Sequence, residues 1–96
     1  MRNNDLAQRL QRLFAESGDA HHQAYIETNG DDPEWPIWYA AYLKDKLGMM
    51  LSTSFTQSEL VYLLLDVEKK RQAISPVAEW TEYYTRYFMK DLPKEA

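Results

Sequence analysis

The sequence has no cysteine, only three glycines and four prolines, and no long hydrophobic run. Without cysteine there are no disulfide bonds and no thiolate chemistry, so stability must come from packing. The longest apolar run, Leu60 to Leu65, is far shorter than the roughly 20 residues that span a bilayer. The N-terminus also shows no apolar signal segment. We therefore expect a cytoplasmic protein with no membrane partner.

Positive charge is scarce as well. The chain has 11 Lys and Arg against 15 Asp and Glu, a formal net charge of −4. Nucleic-acid binding relies on clustered cations that release counterions, so we expect no nucleic-acid partner. The one dense basic cluster, Lys69-Lys70-Arg71, fits a helix C-terminus, where cations complement the helix dipole. A docking patch is the alternative interpretation of this cluster.

Apolar residues, by contrast, make up 45% of the 96 residues, which is enough for the core of one domain spanning residues 1–96. No segment alternates with period two for long enough to predict a strand. We predict an all-α fold, a compact bundle of four to five helices with Leu60–Leu65 central. The predicted helices run from about Asn4 to Ser17, Asp19 to Thr28, Asp32 to Leu47, Thr56 to Ala73 and Ser75 to Asp91.

The ends of these helices are predicted from capping residues. Gly18, Gly30 and Gly48 are each placed at a helix end. Asn4, Asp32 and Ser75 are expected N-caps, the last two followed directly by proline at the first helical position. Thr56-Gln57-Ser58-Glu59 is a capping box. Leu92-Pro93 is expected to end the last helix.

Aromatic residues are plentiful, with three Trp and seven Tyr, and most of them follow a repeated pattern. Glu34-Trp35-x-x-Trp38-Tyr39-x-x-Tyr42-Leu43 returns as Glu79-Trp80-x-x-Tyr83-Tyr84-x-x-Tyr87-Phe88. Residues 33–47 and 76–92 therefore form a possible pseudo-repeat of aromatic helices. At helical spacing each copy places four rings along one stripe. The candidate functional residues are Trp35, Trp38, Tyr39, Tyr42, Trp80, Tyr83, Tyr84 and Tyr87.

Three interpretations of these rings are open. They form a core in which Trp35, Tyr39, Trp80 and Tyr84 pack between helices, or a surface for self-association or another protein. The third possibility is a pocket for a small apolar or aromatic ligand between the helices. Ile37, Ala40 and Ala41 suggest that the first aromatic helix is covered on both sides, whereas Glu82, Thr85 and Arg86 suggest that the second faces water. On this basis Trp35→Ala should be more damaging than Trp80→Ala.

Signals for catalysis are sparse. His21 and His22 are adjacent and cannot chelate one metal together, although either could join Glu27, Asp31 or Asp32. The simpler interpretation is that one imidazole packs or bonds to a neighbouring helix while the other is solvated. No Gly-rich phosphate loop or nucleophile elbow is present, and Asp66 and Glu68 are interpreted as surface ion pairs.

We therefore predict no catalytic residues, no metal and no cofactor, with His21 and His22 as the weak metal candidates. The expected function is binding, most simply as a homodimer or as a docking module for another protein. The alternatives are a small ligand held between helices, which predicts an enclosed cavity lined by Trp and Tyr, or an enzyme or metal site that uses His21 or His22.

The stretch Asp32-Pro33-Glu34-Trp35-Pro36-x-Trp38-Tyr39-Ala40 has His21-His22 before it and Ser58-Glu59-Leu60-Val61 after it. It resembles a small all-helical family of uncharacterised bacterial proteins. The resemblance covers about Ala20 to Phe88. Its Asp-Pro-Glu-Trp-Pro block, with Trp38 two residues after it, is fairly specific because chance rarely places two prolines and two tryptophans so close. It implies a stand-alone bacterial domain and no particular activity, and it keeps the histidine pair among the candidates.

Overall fold

The computed structural model describes residues 2–91, with the side chains of residues 5–90, as four α-helices. Within these residues there is no strand, so the predicted all-α bundle is confirmed. No helix in this part of the chain is long and apolar enough to cross a membrane. The helices are α1 (Arg2–Ala24), α2 (Trp35–Leu51), α3 (Gln57–Ile74) and α4 (Trp80–Arg86), with a 3-10 turn (Ile26–Thr28) after α1 and a π-helical segment (Tyr87–Asp91) continuing α4.

Helix α1 is one unbroken helix, where the sequence predicted two helices separated by Gly18. Its start at Arg2 also places Asn4 inside the helix and not at its cap. Gly18 lies inside α1, at a point where aromatic side chains from α2 and α4 pack close to the α1 backbone. A Cβ atom at this position would lie 3.0 Å from Cζ2 of Trp80 and 3.9 Å from the hydroxyl of Tyr39. The missing side chain therefore lets two aromatic residues approach the backbone of α1.

Helix α2 also passes through a glycine that was predicted to end it. A Cβ at Gly48 would lie 2.7 Å from the backbone oxygen of Thr53, which folds back over the helix end. The amide of Thr53 donates to the carbonyl of Gly48 at 2.9 Å, and Ser52 adopts the left-handed conformation with φ 56°. These features form a Schellman-type end one turn later than predicted.

The predicted starts of α2 and α4 were both too early. Helix α2 begins at Trp35, and Asp32 accepts a hydrogen bond from the amide of Glu34 at 3.0 Å before the helix starts. Helix α4 begins at Trp80 with Glu79 as its N-cap, because Ser75–Ala78 forms a turn closed by a backbone hydrogen bond of 2.9 Å. Both helices thus begin at the tryptophan that opens each copy of the repeat. The predicted stop at Leu92-Pro93 lies outside the described residues.

Helix α3 begins as predicted. The hydroxyl of Thr56 accepts from the amide of Glu59 at 3.0 Å, and the carboxylate of Glu59 accepts from the amide of Thr56 at 2.9 Å. The capping box is therefore confirmed, and it satisfies amides that the helix itself leaves unpaired.

The core lies where α1 packs against α4 and α2, and where α2 packs against α3. Its side chains come from every helix: Leu10, Leu13, Phe14, Ala40, Leu43, Leu47, Leu60, Leu63, Leu64, Val67, Tyr84, Tyr87 and Phe88.

Three expectations about burial were wrong. Thr85, which the sequence placed on the water-facing side of the second aromatic helix, is buried. Leu60, Leu63 and Leu64 are buried, but Tyr62 and Leu65 are 55% and 50% exposed, since α3 packs by one face and lies at the outside of the bundle. Helix α2 is not covered on both sides either, because Ile37 is 50% exposed and Ala41 is exposed.

Candidate functional site: an aromatic cleft

The eight aromatic residues of the repeat divide into two sets of four. The first and third rings of each copy, Trp35 and Tyr39 on α2 and Trp80 and Tyr84 on α4, line one cleft. The other four rings, Trp38, Tyr42, Tyr83 and Tyr87, do not line it. Positions i and i+4 share a helix face, so the two copies of the repeat contribute the same two positions to a common wall.

We call this space the aromatic cleft. It has a volume of about 590 Å³ and opens to solvent, so it is a groove and not the enclosed cavity that the small-ligand alternative predicted. Its walls come from all four α-helices and from the segments that precede α2 and α4. Besides the four rings it is lined by His21, Gly30, Asp31, Asp32, Glu68, Arg71, Gln72, Ala78 and Glu79.

The four rings form a continuous chain of edge-to-face contacts. The centroids of Trp35 and Tyr39 are 5.9 Å apart with ring planes at 83°. Tyr39 contacts Trp80 at 6.3 Å and 87°, and Trp80 contacts Tyr84 at 5.1 Å and 81°. Pairs of this geometry are favourable beyond their buried area. The contact between Tyr39 and Trp80 joins the two copies of the repeat.

One side of the cleft carries a buried histidine–carboxylate pair. Nε2 of His21 lies 2.9 Å from Oδ2 of Asp32, and the two side chains are only 8% and 7% exposed. The imidazole also packs against the rings of Tyr25, Trp38 and Tyr39, each at a centroid distance of 4.9 Å. Asp32, predicted as a helix cap, therefore fixes the loop after α1 to the end of that helix.

The neighbouring histidine has a different environment. His22 is exposed, and its ring lies close to Gly30. A Cβ atom added to Gly30 would lie only 2.8 Å from Nδ1 of His22. Gly30 also has φ +85°, which favours glycine. The interpretation of one packed and one solvated histidine is thus confirmed. Among the described residues, no group of three or more His, Asp or Glu side chains is arranged to hold a metal ion.

The opposite side of the cleft is built around Glu68. Its carboxylate accepts from the hydroxyl of Tyr84 at 2.7 Å, from Nη2 of Arg71 at 2.7 Å and from Gln72 at 2.7 Å. Burial raises the pKa of Glu68, but the donors from Arg71, Tyr84 and Gln72 outweigh that effect and hold the pKa below its usual range. The Glu68 carboxylate therefore has a structural role: it is charged, and its hydrogen bond with Tyr84 connects α3 to α4.

Arg71 extends this network into the turn before α4. Its guanidinium donates to the carbonyl oxygens of Pro76 and Ala78 at 3.4 and 3.3 Å as well as to Glu68. The sequence predicted Glu68 as a surface pair and Arg71 as part of a cluster at a helix end. Arg71 does lie in the last turn of α3. The hydrogen bonds of Arg71 to the carbonyl oxygens of the following turn depend on the position of that turn. The spacing of residues in the sequence did not predict these bonds.

The hydroxyl groups in the cleft are poor nucleophiles. Burial and the neighbouring Glu68 carboxylate raise the pKa of Tyr84, and burial together with Asp32 raises the pKa of Tyr39. Both tyrosines therefore remain neutral at physiological pH. Among the described residues that line the cleft there is no serine, threonine, lysine or cysteine side chain.

The four rings outside the cleft have other contacts. Trp38 stacks on Tyr42 at 5.2 Å with ring planes at 13°, and the ammonium group of Lys46 lies 4.3 Å from the Tyr42 centroid. The hydroxyl of Tyr87 donates to Asp66 at 2.7 Å. This hydrogen bond is the main reason that the pKa of Asp66 is lowered. These rings hold the fold together or cover its surface.

Comparison of the chain with protein-family models, curated proteins and solved structures finds no match. The resemblance to a bacterial family stays a prediction, and the functional argument rests on the geometry of the cleft.

Proposed function

We propose that this domain binds a small organic molecule in the aromatic cleft. The observation that carries the proposal is the convergence of Trp35, Tyr39, Trp80 and Tyr84, from two separate helices, on one groove. A volume of about 590 Å³ falls within the range of about 300–1,000 Å³ that is typical of ligand sites. Such sites combine apolar walls with a few fixed polar groups.

The fixed polar groups are present on both sides of the rings. The His21–Asp32 pair lies on one side and the Glu68–Arg71 pair on the other, and each pair is held by hydrogen bonds within the domain. Because these groups are positioned before a ligand arrives, little side-chain ordering is needed on binding. This arrangement supports a binding function. A proton-transfer role would fall to His21, the one imidazole among the described residues of the wall.

The three tryptophans provide a built-in test, because Trp35 and Trp80 line the cleft and Trp38 does not. Each gives one indole N–H signal in a ¹H–¹⁵N spectrum, assigned by single Trp→Phe variants. A library of neutral, anionic and cationic small molecules is then screened. We expect a binding compound to shift the Trp35 and Trp80 signals strongly and the Trp38 signal weakly.

Trp38→Phe serves as the matched control, since it should leave binding unchanged while Trp80→Phe weakens it. If no compound shifts the Trp35 and Trp80 signals, or if all three signals move equally with every compound, the proposal is wrong.

Self-association, or docking to another protein, is a second candidate. It is supported by the outer face of α3, where Tyr62 and Leu65 are three residues apart and both at least half exposed. Tyrosine is enriched at such surfaces. Sedimentation velocity across a concentration series tests for the homodimer. The double change Tyr62→Ser and Leu65→Ser should abolish association, whereas Gln8→Ser on the exposed face of α1 should not. A wild-type monomer at every concentration would remove the homodimer.

A further inference from the structure

The charge of the aromatic cleft is strongly one-sided. Among the described residues, four carboxylates line it, those of Asp31, Asp32, Glu68 and Glu79, against one guanidinium, that of Arg71. With His21 uncharged, the formal charge of the wall is −3; with His21 protonated, it is −2. A groove lined by one sign of charge concentrates ligands of the opposite sign.

The single arginine does not offer a free positive charge to a ligand. Its Nε and Nη2 both donate to the carboxylate of Glu68, at 3.1 and 2.7 Å, and its Nη1 donates to the two carbonyl oxygens of the turn. The Arg71 side chain is only 18% exposed. An anionic ligand would have to compete with Glu68 for this group, so recognition of a carboxylate or phosphate is disfavoured.

The rings supply the second part of the argument. Trp35, Tyr39 and Trp80 are partly exposed, whereas Tyr84 is 5% exposed and lies deepest. The ring planes turn by 81–87° from each member to the next, so the four rings are oriented in different directions along the groove. The cleft contains two tryptophans and two tyrosines. Both residue types attract cations through their π faces, and tryptophan does so most strongly. The attraction is largest for a cation that is weakly hydrated.

From these observations we propose that the aromatic cleft recognises a methylated ammonium group, with the rings contacting its methyl groups and the surrounding carboxylates balancing its charge. This inference rests on the proposed small-molecule function and names the chemical class of the ligand. The cationic group is either part of a small free molecule or the end of a trimethylated lysine side chain.

The experiment compares choline with 3,3-dimethyl-1-butanol, which has the same shape but carries carbon in place of the charged nitrogen. Both are titrated into the ¹⁵N-labelled protein at constant ionic strength, and the indole signals are followed. We expect choline to bind about tenfold more tightly than the neutral isostere, as a desolvated cation–π contact predicts. A peptide that contains trimethyllysine, with an unmodified lysine peptide beside it, distinguishes the two sources of the group.

Two variants separate the contributions of the rings and the charge. Trp35→Leu keeps an apolar side chain but removes a π face, and should lower choline affinity by about tenfold. Asp31→Asn removes one exposed carboxylate and should lower choline affinity by about threefold without affecting the neutral isostere. Trp38→Leu, outside the cleft, should leave choline binding unchanged.

The outcomes separate the inference from the function on which it rests. Equal binding of choline and its isostere, or binding of neutral or anionic library compounds alone, overturns the cation inference and leaves the small-molecule function in place. Failure of every compound to shift Trp35 and Trp80 overturns both.

Discussion

The hydroxyl of Tyr84 donates to the carboxylate of Glu68 at 2.7 Å, and this bond joins the deepest ring of the aromatic cleft to α3. Helices α3 and α4 are consecutive, yet they share few other contacts. Tyr87 and Asp66 repeat the same kind of bond nearby. The attachment of α4 to α3 therefore depends on tyrosine–carboxylate hydrogen bonds as well as on apolar packing.

Replacing Glu68 by glutamine should lower the free energy of unfolding at neutral pH by about 1–3 kcal/mol, since hydrogen bonds to charged groups contribute amounts of this size. Glutamine keeps the shape of the side chain but loses the charge that Arg71 and Tyr84 bind. Urea denaturation measures the change. Glu16→Gln, on an exposed face of α1, is the control and should change stability by less than about 0.5 kcal/mol.

The stability of the wild-type protein should fall in acid. The pKa values of Asp66 and Glu68 are lowered in the folded state, so these carboxylates contribute stability above their unfolded pKa values of about 4. That contribution is lost as the pH falls through the folded pKa values. Thermal melts from pH 7 to pH 2 should show a steeper decline for the wild type than for Glu68→Gln. Parallel curves would contradict this account.

Replacing Trp80 by alanine should reduce the free energy of unfolding more than replacing Trp35 does. This is the reverse of what the sequence suggested. Trp80 contacts the rings of Phe14, Tyr39 and Tyr84 and lies against Gly18, whereas Trp35 has a ring contact with Tyr39 alone. We expect Trp80→Ala to cost about 3 kcal/mol and Trp35→Ala about 1–2 kcal/mol. Chemical denaturation of both variants decides the order, and a larger loss for Trp35→Ala would restore the original expectation.

At the end of α2, two substitutions should change the stability of the protein in opposite directions. Gly48→Ala would normally stabilise a helix by about 1 kcal/mol, but here the new Cβ meets the backbone oxygen of Thr53, so we expect a net loss. Ser52→Gly relieves a left-handed residue and should stabilise the protein by about 0.5–1 kcal/mol. Melting temperatures of the two variants test the described geometry directly. A more stable Gly48→Ala protein would show that the chain can shift away from the contact.

The adjacent histidines should respond differently to removal. His21→Ala breaks a buried pair with Asp32 and leaves that carboxylate without its partner, which should cost about 2–4 kcal/mol. His22 is exposed, so His22→Ala should change stability by about 0.5 kcal/mol or less. Denaturant midpoints of the two variants provide the comparison. Similar values would mean that the His21–Asp32 bond contributes little.

The helical class of the fold, the capping box at Thr56 and most of the core could be predicted because each depends on residues close in sequence. Gly18 and Gly48 misled the prediction for a physical reason. Glycine ends helices through its conformational freedom, but it also permits close contact, and only the partner atoms of Trp80 and Thr53 show which role applies. The sequence cannot place those partners beside the glycines.

The candidate site was predictable to a similar extent. The repeat identified all four rings of the aromatic cleft, and the core interpretation grouped the same four together between helices. Residue spacing did not decide whether they form a closed core, an outer surface or a pocket. That outcome depends on how each helix is rotated about its axis and on what packs beside it. Glu68 was interpreted as a surface ion pair because its partner Tyr84 is distant in sequence.

The continuity of α1 through Gly18 makes this helix a single rod of about 35 Å, at 1.5 Å per residue over its 23 residues. Its first half supplies Leu10 and Phe14 to the core, and its last turn holds His21 at the edge of the cleft. Because the helix is continuous, a tilt of its first half also displaces its last turn. We therefore expect a change in the packing around Leu10 to alter the side of the cleft where His21 lies as well.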